Sequence, residues 1–228
     1  MERANLMQSM PPQTLNVFEA LAAVKYQKKF LQQFVLVGGT ALSIHIKHRL
    51  SEDLDFFKNG YDLNKGKLFQ FLKKNNIHYT IISEPSREQI DLNIEGVKIT
   101  FFASGFNCLD NADNISYKNL TIASMPLITA MKVSTLAFRA AFRDYYDLYV
   151  LNKEIFSLRE MYEIARSILS IGAFKLFCQQ LLYTGDIEEE NIQQHLSPRH
   201  NISLKEIKAH FDAEVKKELE KIGPTDSR

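Results

Sequence analysis

"FVLVGGTALSIHIKHRLSEDLDFF", residues 34–57, sets a glycine pair behind an apolar run and closes on two aspartates separated by one leucine. Each half has a bland reading. Gly-Gly between a strand and a helix is a tight turn, and Asp-x-Asp is a strand end dipping into water. Together they ask for more, because like charges two residues apart repel unless something positive sits between them. On a strand, Asp53 and Asp55 point to one face while Leu54 and Phe56 face a core. Two carboxylates on one face suit Mg²⁺, which takes a few carboxylates and fills its shell with substrate phosphates. Gly38 and Gly39 let a ligand approach the backbone. The helix that follows offers unsatisfied N–H groups, a seat for phosphate, and Thr40 adds a hydroxyl. Thirteen residues lie between Gly39 and Asp53, enough for one short helix and a return into the neighbouring strand.

Around this stretch the first half alternates element types. Apolar spacing predicts a helix through "TLNVFEALAAVKYQKKFLQQ", with Thr14 as its N-cap. "FVLVGG" reads as a short buried strand, "TALSIHIKH" as a helix and "SEDLDFF" as a strand. "LNKGKLFQFLKKNN" is amphipathic through Leu63, Leu68, Phe71 and Leu72. "HYTIIS" and "QIDLNI" follow as strands, and Glu95-Gly96 turns the chain into a hairpin partner, "VKITFF". From Met125 onward the pattern is helical. "SLRE" (157–160) and "SLKE" (203–206) are capping boxes, and Leu204, Ile207, Phe211, Val215, Leu219 and Ile222 form one stripe stopped by Gly223-Pro224. The expectation is an α+β chain: a mixed sheet with flanking helices over 1–124, then a helical bundle over 125–228.

The bulk properties narrow the setting. A formal charge of +1 gives no global field for nucleic acid or an anionic membrane. Cys108 and Cys178 are far apart and in no metal-binding spacing, as in a reducing cytoplasm. No apolar run is long enough to span a bilayer and the N-terminus lacks the apolar core of a signal peptide, so a cytoplasmic protein without membrane contact is expected.

The residues then carry a resemblance. "GGTAL…HRLSEDLDFF" resembles the signature of the nucleotidyltransferase superfamily that includes DNA polymerase beta, and more closely the AbiEii/AbiGii toxin-type nucleotidyltransferases. The likeness extends to "EGVKITFF", "LTIASMPLITAMKVSTLAFR" and "RDYYDLYVL", covering roughly residues 34–152. It implies transfer of an NMP from an NTP to an acceptor hydroxyl, on RNA (a tRNA 3′ end, for instance) or on a protein, in a toxin-like role with a cognate antitoxin. Asp53 and Asp55 would hold Mg²⁺, while Gly38, Gly39, Thr40 and Lys132 would hold the triphosphate. Arg49, by its plain reading a solvated loop arginine, would contact a phosphate or cap the carboxylates, and Ser51 lies on the carboxylate face by alternation, in reach of the triphosphate.

Lys132 interrupts an apolar helical pattern, and its plain reading is a snorkelling lysine. Asp144 is either the N-cap of a new helix or the group that orients the acceptor hydroxyl. Arg139, Arg143 and Asp147 fall near the Lys132 face of a continuous helix, and Asp147 is expected to pair with Arg143. Polymerase-beta-like enzymes carry a third carboxylate on a later central strand. Here Thr100 takes that position, with Asp91 and Glu95 on the wrong strand, which favours one tightly held Mg²⁺ over two. Two other readings stay open: a catalytically degenerate fold that binds a nucleotide, RNA or protein, and an Asp-x-Asp glycosyltransferase. A haloacid-dehalogenase-type phosphotransferase is set aside, because Phe56-Phe57 stand where a Thr or Val should follow the second Asp, and Ser51-Glu52 precede the first. Lys25, Lys28 and Lys29, Lys73 and Lys74, and Arg139 and Arg143 are basic clusters that read either as RNA contacts or as solvated helix faces.

Overall fold

The glycine–aspartate stretch supplies two adjacent central strands of a seven-stranded mixed sheet. The structure, a computed structural model, describes residues 6–111, 113–138 and 141–222. Arg139 and Gly223-Pro224 lie outside the described residues. The chain forms two compact units, Met1–Ile128 and Thr129–Arg228.

The first unit opens with α1 (Pro12–Ala22) and α2 (Lys28–Leu31). They replace the single helix expected from periodicity: the first run closes at Ala23, and Gln27, in a left-handed conformation, is the N-cap from which the second starts. Helix α1 starts with Pro12 in its first turn, where the missing N–H costs nothing, and Pro11 is its N-cap. Thr14 is no cap. Its hydroxyl donates to the Glu52 carbonyl (2.9 Å), tying α1 to the segment before Asp53.

Strand β1 (Val35–Val37) runs directly into α3 (Gly38–Ile46), and β2 is Leu54–Lys58. Helix α4 (Lys65–Lys74) precedes β3 (Thr80–Ser83), β4 (Gln89–Ile94) and β5 (Val97–Ala103). The turn between β4 and β5 has both Glu95 and Gly96 at positive φ, the conformation of a two-residue hairpin loop. A short α5 (Cys108–Asn111) leads to β6 (Ile115–Tyr117) and β7 (Leu120–Ile122). These last two strands carry too few residues to show a period, and sequence reading passed over them.

The strand order is β3-β4-β5-β2-β1-β7-β6. β2 pairs antiparallel with β1 and parallel with β5, and β1 also pairs parallel with β7. One face of the central strands is packed with Leu54, Phe56, Ile90, Leu92, Ile99 and Phe101, all fully buried. Phe101 stacks on Phe56 and meets the edge of Phe34. Strict alternation therefore sends Asp55 to the other face, opposite Thr100 across the β2–β5 pair.

Helix α6 (Met125–Thr135) ends in the second unit, which continues with α7 (Phe142–Glu154), α8 (Leu158–Leu169), α9 (Phe174–Leu182) and α10 (Leu204–Ile222). Both capping boxes form, Ser157 with Glu160 and Ser203 with Glu206. Tyr145 and Phe211 pack edge to face between α7 and α10, and both are fully buried. The apolar stripe of α10 ends sooner than expected: Leu219 is 50% exposed, and Glu218 is buried instead, near Arg159 and Lys221. Among the described residues, no helix is long and apolar enough to cross a membrane.

Candidate functional site

The two glycines are spent on two different side chains. Gly38 has φ +73°, and a Cβ there would stand 2.7 Å from Oδ2 of Asp55. At Gly39 a Cβ would stand 2.7 Å from an Arg49 guanidinium nitrogen and 3.1 Å from the Ser51 hydroxyl. Only bare backbone lets the start of α3 come this close to the carboxylate and to the arginine. The N-cap of α3 is Val37, whose side chain makes no capping hydrogen bond. The helix N-terminus, positive by its dipole, thus lies against Asp55.

The connection from α3 to β2 is fixed by polar bonds between its own ends. Thr40 donates to the Asp53 carbonyl, and Ser43 donates to the Arg49 carbonyl. Arg49 donates from Nη1 to the Leu50 carbonyl (3.0 Å), and His45 contacts the Ala123 carbonyl (2.8 Å). His48, Arg49 and Ser51 are all buried, so this arginine is no solvated loop residue. Asp53 precedes the first paired residue of β2 and is exposed, whereas Asp55 is half-buried. The Thr40 hydroxyl gives its proton to the Asp53 backbone.

Asp55, Thr100 and Asp91 occupy one cross-strand row on β2, β5 and β4. Thr100 holds the place beside Asp55, as its position in "VKITFF" implied. Asp91 lies one strand further out, where Ser83 (2.9 Å) and Gln89 (3.1 Å) donate to it and Lys98 stands 3.6 Å away. Burial pushes the Asp91 carboxyl up, but the hydrogen bonds from Gln89 and Ser83 and the Lys98 charge outweigh it and hold the group below its ordinary value. Among the described residues no three His, Cys, Asp or Glu side chains group as a metal site. Asp53 and Asp55 are a two-carboxylate donor set, and a cradle emptied of side chain at Gly38 opens against one of them. That set fits a single Mg²⁺ completed by phosphate oxygens and water.

Lys132 and Asp144 belong to the second unit. Lys132 is 7% exposed, so it is a buried lysine and does not snorkel. Its Nζ lies 2.8 Å from Asp144 Oδ1 and 2.6 Å from Asp147 Oδ2. Asp144 is not an N-cap. Helix α7 is capped by Ala141, which puts Asp144 in the third helical position with its side chain turned to Lys132. Among the described residues the expected Asp147–Arg143 pairing gives way to other partners: Arg143 donates from Nε to both oxygens of Glu190 (2.9 and 2.8 Å), and Asp147 meets Lys132. Glu190 sits in "GDIEEENIQQ", a polar segment that gave no sign of this partner.

The model for the nucleotidyl transferase AbiEii toxin family of type IV toxin–antitoxin systems matches residues 19–114. The match takes in the glycine turn, both aspartates and the Thr100 strand. Uncharacterized protein aq_aa25 of Aquifex aeolicus (strain VF5) is 26% identical over 194 residues, 82% of this chain and 88% of that protein. Among solved structures, JHP933 from Helicobacter pylori is similar with a TM-score of 0.53 at 20% identity, over 93% of this chain and 96% of the other. MenT4, a nucleotidyltransferase toxin from Mycobacterium tuberculosis H37Rv, is similar with a TM-score of 0.52 at 13% identity, over 94% and 88%. At these identities the two structures speak for the fold.

Proposed function

From the premise that the chain carries an AbiEii-type nucleotidyltransferase domain and is a transferase of nucleotidyl groups, we propose that it moves an NMP from a Mg²⁺-bound NTP to a hydroxyl at an RNA end, in a toxin-like role. The observation that carries this reading is the close approach of α3 to Asp55 across Gly38. In this reading the amides at the start of α3 would bind phosphate, and the Asp55 carboxylate they lie against would bind the metal. Asp53 and Asp55 would hold Mg²⁺, which would supply Lewis-acid polarisation of the phosphate and lower the proton affinity of the acceptor hydroxyl. The N–H groups at the start of α3 receive the triphosphate. Arg49 and Ser51, packed behind Gly39, fix that turn and add positive charge and a hydroxyl for phosphate oxygens.

The resemblance gives Lys132 to the phosphates and Asp144 to the acceptor hydroxyl, and both roles are part of the proposal. A glycosyltransferase reading is no longer needed once the family is a nucleotidyltransferase. One observation favours a second reading, in which the fold binds a nucleotide or RNA without chemistry: Thr100 stands beside Asp55 where a third carboxylate would serve. A cognate antitoxin and a cytoplasmic setting accompany the toxin-like role.

The test is transfer of label from each of four α-³²P-NTPs, with Mg²⁺, to total RNA and to total protein, beside an Asp55→Ala control. Label entering RNA and lost in the control is the expected result. Label entering protein alone overturns the RNA acceptor. Labelling of neither pool by folded, NTP-binding protein favours the binder.

A further inference from the structure

Two of the basic segments that sequence reading left as separate clusters meet in the fold. Residues 20–34 carry Lys25, Lys28 and Lys29 and no Asp or Glu; residues 63–83 carry Lys65, Lys67, Lys73 and Lys74 and no Asp or Glu. Asn75, just after α4, joins them. Its Oδ1 accepts from the backbone N–H of Lys25 (3.2 Å) and Tyr26 (3.0 Å), and its Nδ2 donates to the Tyr26 carbonyl (3.0 Å). Phe30 of α2 packs on Phe71 of α4 beneath them.

The result is a groove of about 460 Å³ with Lys25, Tyr26, Lys74, Asn76 and His78 along its walls and Glu95 at one end. Tyr26 is 60% exposed, an aromatic ring standing in water beside lysines. Lys25, Lys28, Lys29, Lys67, Lys73 and Lys74 are exposed, and among the described residues none of them has an ion-pair partner, whereas Lys65 is paired with Glu84. In a chain of net charge +1 this is a local positive field, costly to hold together and open to a polyanion. Ile94, which lines the groove, continues the Ile90 and Leu92 face of β4, so the groove belongs to the sheet face opposite Asp55.

We infer that this groove is a second nucleic-acid contact, binding the backbone and a stacked base of a single-stranded RNA segment away from the reacting end. The inference rests on the proposed RNA acceptor and adds where the body of that RNA is held. Lys25 and Lys74 in the groove, with Lys28, Lys29 and Lys73 on the helices that flank it, neutralise successive phosphates, and an exposed tyrosine supplies a face for any base, the two features of sequence-tolerant single-strand binding. An acidic protein segment would use the lysines and leave the ring without a purpose.

The test needs neither NTP nor turnover. The full chain is titrated with a labelled oligouridylate of about 12 nucleotides, within the roughly 4–16 that single-strand grooves take, over a salt series. The double variant Lys25→Glu/Lys74→Glu should bind about 10-fold more weakly, with a log–log salt slope shallower by about 1.4, two phosphates at about 0.7 each. Tyr26→Ala should weaken binding about 5-fold or more and leave the slope unchanged. A control, Lys205→Glu/Lys216→Glu on exposed positions of α10, makes the same charge change elsewhere and should cost less than about 2-fold.

Equal losses in the two double variants reduce the effect to net charge and overturn the inference, as does unchanged binding in the groove variants. A polyglutamate peptide that binds the groove as tightly as the RNA assigns the surface to an acidic protein and overturns it too. Asp55→Ala should bind the oligonucleotide like the unaltered chain. Groove-dependent RNA binding with label entering only protein would leave the surface standing and refute the RNA acceptor.

Discussion

In the first unit the Asp-x-Asp carboxylates stay within reach of water, Asp53 exposed and Asp55 half-buried at the rim of the sheet. In the second unit Asp144 is 5% and Asp147 0% exposed, both closed around Lys132. The chemistry of the groups is the same, and their energetics differ. A carboxylate at the rim costs little to desolvate and gains its partner from a ligand. A carboxylate in the interior must bring its partner with it, because an uncompensated buried charge costs several kcal/mol. The first arrangement leaves its charges open to solvent, and the second closes them around a lysine that links helices α6 and α7, whatever part that lysine also takes in the proposed reaction.

The sharpest break between the two is in what neutralisation does. Asp53→Asn or Asp55→Asn should lower nucleotidyl transfer by about 1,000-fold, roughly 4 kcal/mol, while the melting temperature holds or rises. A marked loss of stability would place these carboxylates with the structural ones. Lys132→Met should instead destabilise the fold by about 3–5 kcal/mol in urea denaturation, because two interior carboxylates lose their cation. Adding Asp144→Asn and Asp147→Asn to it should recover part of that loss. A Lys132→Met protein as stable as the parent would mean that the trio is dispensable for folding.

Gly38→Ala probes the contact from the other side. A left-handed residue bearing a Cβ costs about 1–2 kcal/mol, and the added atom also presses on Asp55, so NTP binding and melting temperature should fall together. Ser203→Ala should remove about 1 kcal/mol by uncapping α10 and leave transfer unchanged. Acid stability gives the smallest contrast. Asp91 in the first unit and Glu154 in the second are both held below their ordinary values, against the upward push of burial. For Asp91 the hydrogen bonds from Gln89 and Ser83 and the Lys98 charge do this; for Glu154 it is the His200 hydrogen bond and the Arg199 charge. A depressed carboxyl contributes stability above its unfolded value of about 4, and that contribution is lost as pH falls through the folded value. Denaturation curves from pH 5 downward should therefore show Asp91→Asn and Glu154→Gln flattening the acid limb, each by a part of its slope.

The glycine turn, the Asp-x-Asp, the helices with strong periodicity and both capping boxes were legible in the sequence because each is a local pattern. Alternation placed Asp55 opposite the core face, and the helical spacing of residues 204–215 survived folding intact. The family resemblance rested on the same local residues, now matched over 19–114. What the sequence left undecided is long-range. Periodicity cannot show that the first helix stops at Ala22 or that three-residue strands β6 and β7 extend the sheet, since a break and a three-residue strand both lack the residues to set a period.

Partner choice is the other thing only the tertiary structure settled. Asp147 lies one helical turn from Arg143, which made that pair the local expectation, yet burial draws Asp147 to Lys132 and leaves Arg143 to Glu190, 47 residues away. Thr14, a cap by local reading, is a staple across the chain once folded, and the Thr40 hydroxyl also donates to a carbonyl beyond its own helix. Local sequence determined which groups this protein has and which faces they take. Packing decided whom they meet, because a buried charge or hydroxyl takes the partner that satisfies it in the interior, at whatever distance along the chain.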